Sequence, residues 1–247
     1  VTGVQTCALP ISSATYASCF SPATNTPSSF CCPSHLRSEY IQRSVLQPPR
    51  PEPRSRSSRT APICIRSGQH IYNNALFAAY VAHHGEAKAE EWLRGVKANL
   101  AQKPSGGDRE TARDVAAGKC DIGIGNTYYW ALMNDQEADK KAWADATRVI
   151  LPTFQGGGTH VNISGVVIAK HAPNAANALK FVEWMVSDQA QQMHADMNYE
   201  YPVKAGIAIN KTIAGYGALK ADPMPIAQIA ENRKKASALV DKTGFNN

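Results

Sequence analysis

From residue 62 onward, apolar positions recur in two distinct patterns. Ile63-Cys64-Ile65 is a short apolar run closed by Arg66-Ser67-Gly68, and it predicts a buried strand. Helical spacing follows over Ala75–His84, with Asn73 or Asn74 as the cap and Gly85 as the stop. A second helix is expected over Glu86–Gln102, where Trp92, Val96 and Leu100 share one face. Asp108 is the expected N-cap of a helix over Arg109–Ala117, ended by Gly118. Asp121-Ile-Gly-Ile-Gly125 alternates and predicts a strand, after which Asn126-Thr127 caps a helix beginning at Tyr128. Arg148–Leu151 and His160–Ala169 are further expected strands. Helices are expected from Pro173-Asn174 through Val186, over Asp188–Met197 and over Pro223–Lys242. Strands alternating with helices imply an α/β protein with a mostly parallel sheet.

Residues 1–61 carry no such pattern. They hold six Arg, two Glu, no Lys and no Asp, so they supply +4 of the chain's net charge of +6. They also contain eight of the 15 Pro, four of the six Cys and a single Gly. Without periodicity, burial cannot offset the entropy of ordering such a segment. A basic nucleic-acid arm and a segment without an evolved role are the two readings, and composition favours the second. The opening Val1–Ile11 resembles a translated sequencing adaptor, and the Arg/Ser/Pro-rich stretch after it resembles an out-of-frame translation. The expected division is therefore a non-native or disordered segment, 1–61, and an organised part, 62–247.

With that segment set aside, Cys64 and Cys120 remain, too few for a zinc pattern or a disulfide framework. They are expected as two buried thiols, pairing only if their Cα atoms come within about 7 Å. No apolar run approaches the roughly 18 residues of a spanning helix. Basic residues after position 61 are interleaved with acids, which argues against nucleic acid as a partner.

Tyr128-Tyr129 is the most informative pair. On a strand the two rings would point to opposite faces. At the start of a helix they lie about 100° apart and can converge on one ligand. A protonated phenol, with a pKa of about 10, is a poor ligand. A hard trivalent cation would lower that pKa and take two phenolates; the competing reading is two core or rim aromatics. Tyr72 lies between a strand and a helix, where α/β proteins place ligand loops. His83-His84 reads as a helix C-terminal cap. Gly156-Gly-Gly158 reads as a turn, and no nucleophile elbow or H-E-x-x-H zinc motif occurs.

Taken in order, Cys64-Ile-Arg-Ser-Gly68 with Tyr72, Lys103-Pro-Ser-Gly-Gly-Asp-Arg109, Cys120-Asp-Ile-Gly-Ile-Gly-Asn-Thr-Tyr-Tyr129, Thr159-His-Val-Asn-Ile-Ser-Gly165 and Asn198-Tyr-Glu-Tyr-Pro-Val203 resemble the ferric-iron-binding periplasmic proteins of bacterial ABC iron importers. The resemblance implies a type II periplasmic-binding-protein-like fold of two lobes, one of them incomplete here. It implies Tyr72, Tyr128 and Tyr129 as ligands of Fe(3+), and Arg66, Ser67 and Asn126 near the iron or a synergistic anion. Tyr199 and Tyr201 match a structural motif. Family members have a further stretch before the strand matching Ile63–Ile65, so the chain is expected to be a fragment that exposes apolar surface. The implied protein is a periplasmic monomer that passes iron to an inner-membrane ABC permease and catalyses no reaction. A binding protein for a small anion, and an enzyme on the same scaffold, are the alternatives.

Overall fold

The computed structural model describes residues 61–153 and 157–247, and the backbone of 3–12. Among the described residues, five strands form one sheet. They are β1 (Gly3–Ser12), β2 (Ile63–Ile65), β3 (Ile122–Asn126), β4 (Thr147–Ile150) and β5 (Val161–Ser164). The path runs β2-β3-β1-β4, with β5 also paired to β1. β2 and β3 are parallel, with Ile63 opposite Ile122 and Ile65 opposite Ile124. Parallel neighbours need a long crossover. It is supplied here by α1 (Ile71–His84), α2 (Glu86–Ala98) and α3 (Asp108–Ala116).

Two expectations need correction. The sheet is not mostly parallel: β1 is antiparallel to β3, β4 and β5. Nor does the whole of 1–61 stay apart from the rest, because Gly3–Ser12 lies between β3 and β4. The edges of β3, β4 and β5 present backbone N–H and C=O groups that need partners, and an extended ten-residue stretch satisfies them. The remainder of that segment lies outside the described residues, as does part of the glycine-rich turn before Gly158.

The main core joins Ile65 and Ile124 of the sheet to Leu76, Phe77 and Val81 of α1, Leu93 of α2, and Leu239 and Val240 of α10 (Arg233–Lys242). Phe77 is 1% exposed and meets Phe245 and Trp92 edge-on, with centroids at 5.4 and 5.7 Å. Burying one such side chain contributes about 1.5–3 kcal/mol. The closing helix is interrupted at Asn232, which separates α9 (Ile226–Glu231) from α10.

A second cluster lies behind α4 (Thr127–Asp135). Tyr128 and Ala131 pack there with Tyr199, Tyr201 and Ile213, the last from α8 (Lys211–Ala214). Tyr199 ends α7 (Asp188–Asn198) in the left-handed region, at φ 57°, with its hydroxyl 3.3 Å from Gln136 Nε2. This matches the structural role expected for Tyr199 and Tyr201. Trp130 of α4 donates to Thr147 Oγ1 at 2.9 Å, just after α5 (Lys141–Asp145), and so ties the helix to β4.

Cys64 and Cys120 are joined. Their Cα atoms lie 5.8 Å apart and the sulfurs form a disulfide, in place of the expected pair of thiols. Cys64 is the middle residue of β2, and Cys120 enters β3 two residues before Ile122. The parallel pairing of the two strands brings them together across 56 residues. By contrast, α6 (Ala175–Met185) buries none of its residues, and Leu179, Phe181 and Trp184 are exposed. The expected exposed apolar surface is therefore here. No helix among the described residues is long and apolar enough to cross a membrane.

Candidate functional site

The C-terminal ends of the parallel strands β2 and β3 each lead through a short turn into a helix. These turns carry the three tyrosines. After β2 the chain passes Arg66-Ser67-Gly68 and enters α1 one residue before Tyr72. The expected cap at Asn73 or Asn74 is not used. His70 caps instead, its Nδ1 accepting from the Tyr72 N–H at 3.3 Å. Asn73 turns back and donates to the carbonyls of Arg66 and Ser67, at 2.9 and 3.1 Å. This holds the turn closed against the helix that it precedes. Gly68 is required because a Cβ there would sit 2.9 Å from Phe245.

After β3, Asn126 is the N-cap residue and α4 begins at Thr127. Tyr128 and Tyr129 therefore lie in the first helical turn and not on a strand. Their rings are 4.2 Å apart and tilted by 33°. The Tyr128 hydroxyl donates to that of Tyr72 at 3.1 Å. Tyr129 stands beside them, its ring against that of Tyr128. The fold thus brings the hydroxyls of Tyr72 and Tyr128 together and sets the Tyr129 ring next to that of Tyr128.

Burial raises the pKa of Tyr128 well above that of an ordinary phenol, and its hydrogen bonds with Tyr129 and Tyr72 push it further up. Burial also raises that of Tyr72, partly opposed by the Tyr128 hydrogen bond. Two of the three phenols are therefore held protonated until something replaces the proton. Cations stand over both ends of the trio. Arg66 lies 5.4 Å from the Tyr72 ring centroid and Arg109 lies 4.7 Å from that of Tyr129. Among the described residues, no group of three His, Cys, Asp or Glu side chains is placed to hold a metal. The oxygen donors on offer are phenolic, a donor set suited to a hard, highly charged cation.

The other three predicted residues occupy different positions around this centre. Arg66 Nη1 is bound to Asp108 Oδ1 at 2.9 Å, and its Nε is buried with no hydrogen-bond partner among the described residues. That nitrogen is a donor available to an anion. Ser67 Oγ accepts from the Gln69 N–H at 3.2 Å and serves the turn. Asn126 is 1% exposed, and both ends of its amide are engaged. It donates to Asp108 Oδ2 at 3.2 Å and accepts from Asn162 Nδ2 at 3.2 Å.

Pattern reading missed the roles of Asp108 and Arg109. Asp108 is not the N-cap of α3; Gly107 holds that position, after Gly106 in the left-handed region at φ 66°. Asp108 points inward at 2% exposure, and burial raises its pKa although Arg66 and Asn126 oppose this. Only the run Gly106-Gly107-Asp108-Arg109 marked these residues in the sequence.

Comparisons with known proteins converge. The model of the family described as "Bacterial extracellular solute-binding protein" matches residues 56–192. Iron uptake protein A1 of Synechocystis sp. is 37% identical over 184 residues, which is 74% of this chain and 51% of that protein. The solved structure of a Bordetella ferric binding protein superposes with a TM-score of 0.77 at 42% identity, over 100% of this chain and 69% of that one. A Trichodesmium protein solved in complex with iron and citrate ligands gives a TM-score of 0.71 at 38% identity, over 75% and 59% of the two chains. The chain spans about half the length of the curated relatives it matches. The α/β architecture is that of the type II periplasmic binding proteins.

Proposed function

We propose that this chain, which belongs to the bacterial extracellular solute-binding protein family, captures ferric iron for delivery to a membrane permease. The observation that carries the reading is the meeting of the Tyr72 and Tyr128 hydroxyls, with the Tyr129 ring beside them, at the ends of two parallel strands. The ferric and iron-uptake names of similar proteins support the same cargo.

In this reading the three phenols lose their protons as ferric iron arrives, and the oxygens become its ligands. Arg66 and Arg109 offset the negative charge that the phenolates develop. The free Nε of Arg66 and the hydroxyl of Ser67 meet an accompanying anion, with Asn126 bracing the loop beneath it. Closure of two lobes over the ion and reopening at the permease account for loading and release. The part played by the chain is binding and release, with no covalent step.

The disulfide fits an oxidising compartment, which supports a periplasmic location for the working protein. We propose that it acts there as a monomer until it meets its permease. Titration of the purified chain with a ferric chelate tests the reading. A visible phenolate-to-iron band that saturates with ferric and not with zinc ions is expected. A colourless titration to saturation would reject it.

A further inference from the structure

We infer that Asp108 and Arg109, adjacent at the start of α3, are positioning residues of the tyrosine site. The inference rests on the ferric-iron reading and adds to it the element that holds the donors in register.

The two side chains leave the same turn in different directions, and each reaches a tyrosine-bearing element. Asp108 Oδ1 accepts from Arg66 at 2.9 Å, and Oδ2 accepts from the Asn126 N–H at 2.8 Å and from Asn126 Nδ2 at 3.2 Å. One buried carboxylate therefore ties the turn after β2 to the turn after β3. Tyr72 follows the first turn and Tyr128-Tyr129 the second. The fit is tight. A Cβ on Gly125 would lie 3.3 Å from Asp108 Cβ and 2.7 Å from the Trp130 ring, so the two strand ends have little room to drift. Through Asn126 the chain of hydrogen bonds continues to Asn162 of β5.

Arg109 acts on the other tyrosine. Glu137, just beyond α4, grips its guanidinium, with Nε 2.9 and 2.8 Å from the two carboxylate oxygens. The grip holds the cation 4.7 Å from the Tyr129 ring centroid. A cation over an aromatic face is attracted to it, and more so when the ring oxygen carries charge. Glu110 secures the turn that presents both residues, by accepting from the Gly107 N–H at 2.8 Å. Outer partners of metal ligands typically change affinity by about 10–100-fold when removed.

The same helix supplies its own control. Arg113 and Asp114 are the same residue types in reverse order. Asp114 is also buried, but its partners are Gln102, Arg113 and Lys119. Loosening of α3 as such would affect both pairs alike.

The test measures ferric affinity, by competition with citrate, and the position of the visible band. It is applied to the wild-type chain and to Asp108→Asn, Arg109→Gln, Arg113→Gln and Asp114→Asn. Asp108→Asn keeps the shape but places an amide donor against Arg66 or against the Asn126 N–H. We expect it to weaken binding by about 10–100-fold. Arg109→Gln, at a partly exposed position, keeps the inference testable should Asp108→Asn fail to fold. It should weaken binding and move the band. Arg113→Gln and Asp114→Asn should leave both readouts as in the wild type. Wild-type affinity and band in Arg109→Gln, or equal losses in Asp114→Asn, would overturn the inference. A wild-type chain without a band would overturn the iron reading itself, which is a separate result.

Discussion

The hydroxyls of Tyr72 and Tyr128, 56 residues apart in the sequence, meet at 3.1 Å. Neither tyrosine could reach the other without the parallel pairing of β2 with β3, which sets the two strand-to-helix turns side by side. The contact also fixes an order of events. Two phenols in one hydrogen bond, both with raised pKa, hold their protons until a cation replaces them.

Iron binding should therefore release protons, and affinity should fall as pH falls. Each phenolate formed contributes up to about a tenfold change in affinity per pH unit while the free site stays protonated. Competition titrations at pH 6.5, 7.5 and 8.5, corrected for the chelator's own protonation, should show ferric affinity rising steeply with pH. A flat profile would mean that the ligands are not phenols.

The disulfide should contribute substantially to folding stability. Cys64 and Cys120 are separated by 56 residues. The chain-entropy model gives about 4 kcal/mol for a loop of that size. Paired Cys64→Ser and Cys120→Ser substitutions should lower the urea midpoint accordingly, and dithiothreitol should do the same to the wild-type chain. Unchanged midpoints in both cases would exclude a stabilising bond.

His160 should make stability depend on mild acid. It is 2% exposed, neither ring nitrogen has a hydrogen-bond partner among the described residues, and burial lowers its pKa to about 4. Between that value and the ordinary 6.5, the unfolded chain binds the proton and the folded chain does not. The neutral imidazole's contribution is thus complete above pH 6.5 and is lost as pH falls towards 4. The loss is roughly 3 kcal/mol at most, from the size of the shift. Denaturant unfolding at pH 7 and pH 5 should show a smaller pH difference in His160→Gln than in the wild type. Equal differences would place the titration elsewhere.

Much of this arrangement was legible in the sequence because it is local. The apolar run Ile63–Ile65 and the alternation before Asn126 marked the two strands, and the helix carrying Tyr128 was visible in the Asn126-Thr127 step, although it starts one residue earlier than expected, at Thr127. Convergence of the tyrosines was suggested by their place at strand-to-helix turns and sharpened by family resemblance. What stayed hidden depends on pairing at a distance. The Cys64–Cys120 bond requires the register of β2 against β3, which neither cysteine's neighbours specify. Asp108 has the residue type and position of an N-cap. Gly106 and Gly107 shift the helix start by one residue and turn the carboxylate inward, which no spacing rule reveals. The α1 cap escaped for a related reason: a histidine ring serves there, and the expected Asn73 instead holds the preceding turn. The antiparallel place of Gly3–Ser12 came from a segment whose composition argued against any ordered role.

In the proposed function, Tyr128 and Tyr129 bind ferric iron as phenolates. Phenylalanine at either position keeps the ring packing beside the other aromatic and removes one oxygen donor. The most direct measurement is a ferric-chelate titration at pH 8, followed by visible absorbance, of the wild-type chain, Tyr128→Phe and Tyr129→Phe, with circular dichroism as the check on folding. The expected result is a saturable band in the wild type that loses most of its intensity in each variant, with unchanged circular dichroism. A band of equal intensity and midpoint in all three chains would contradict it.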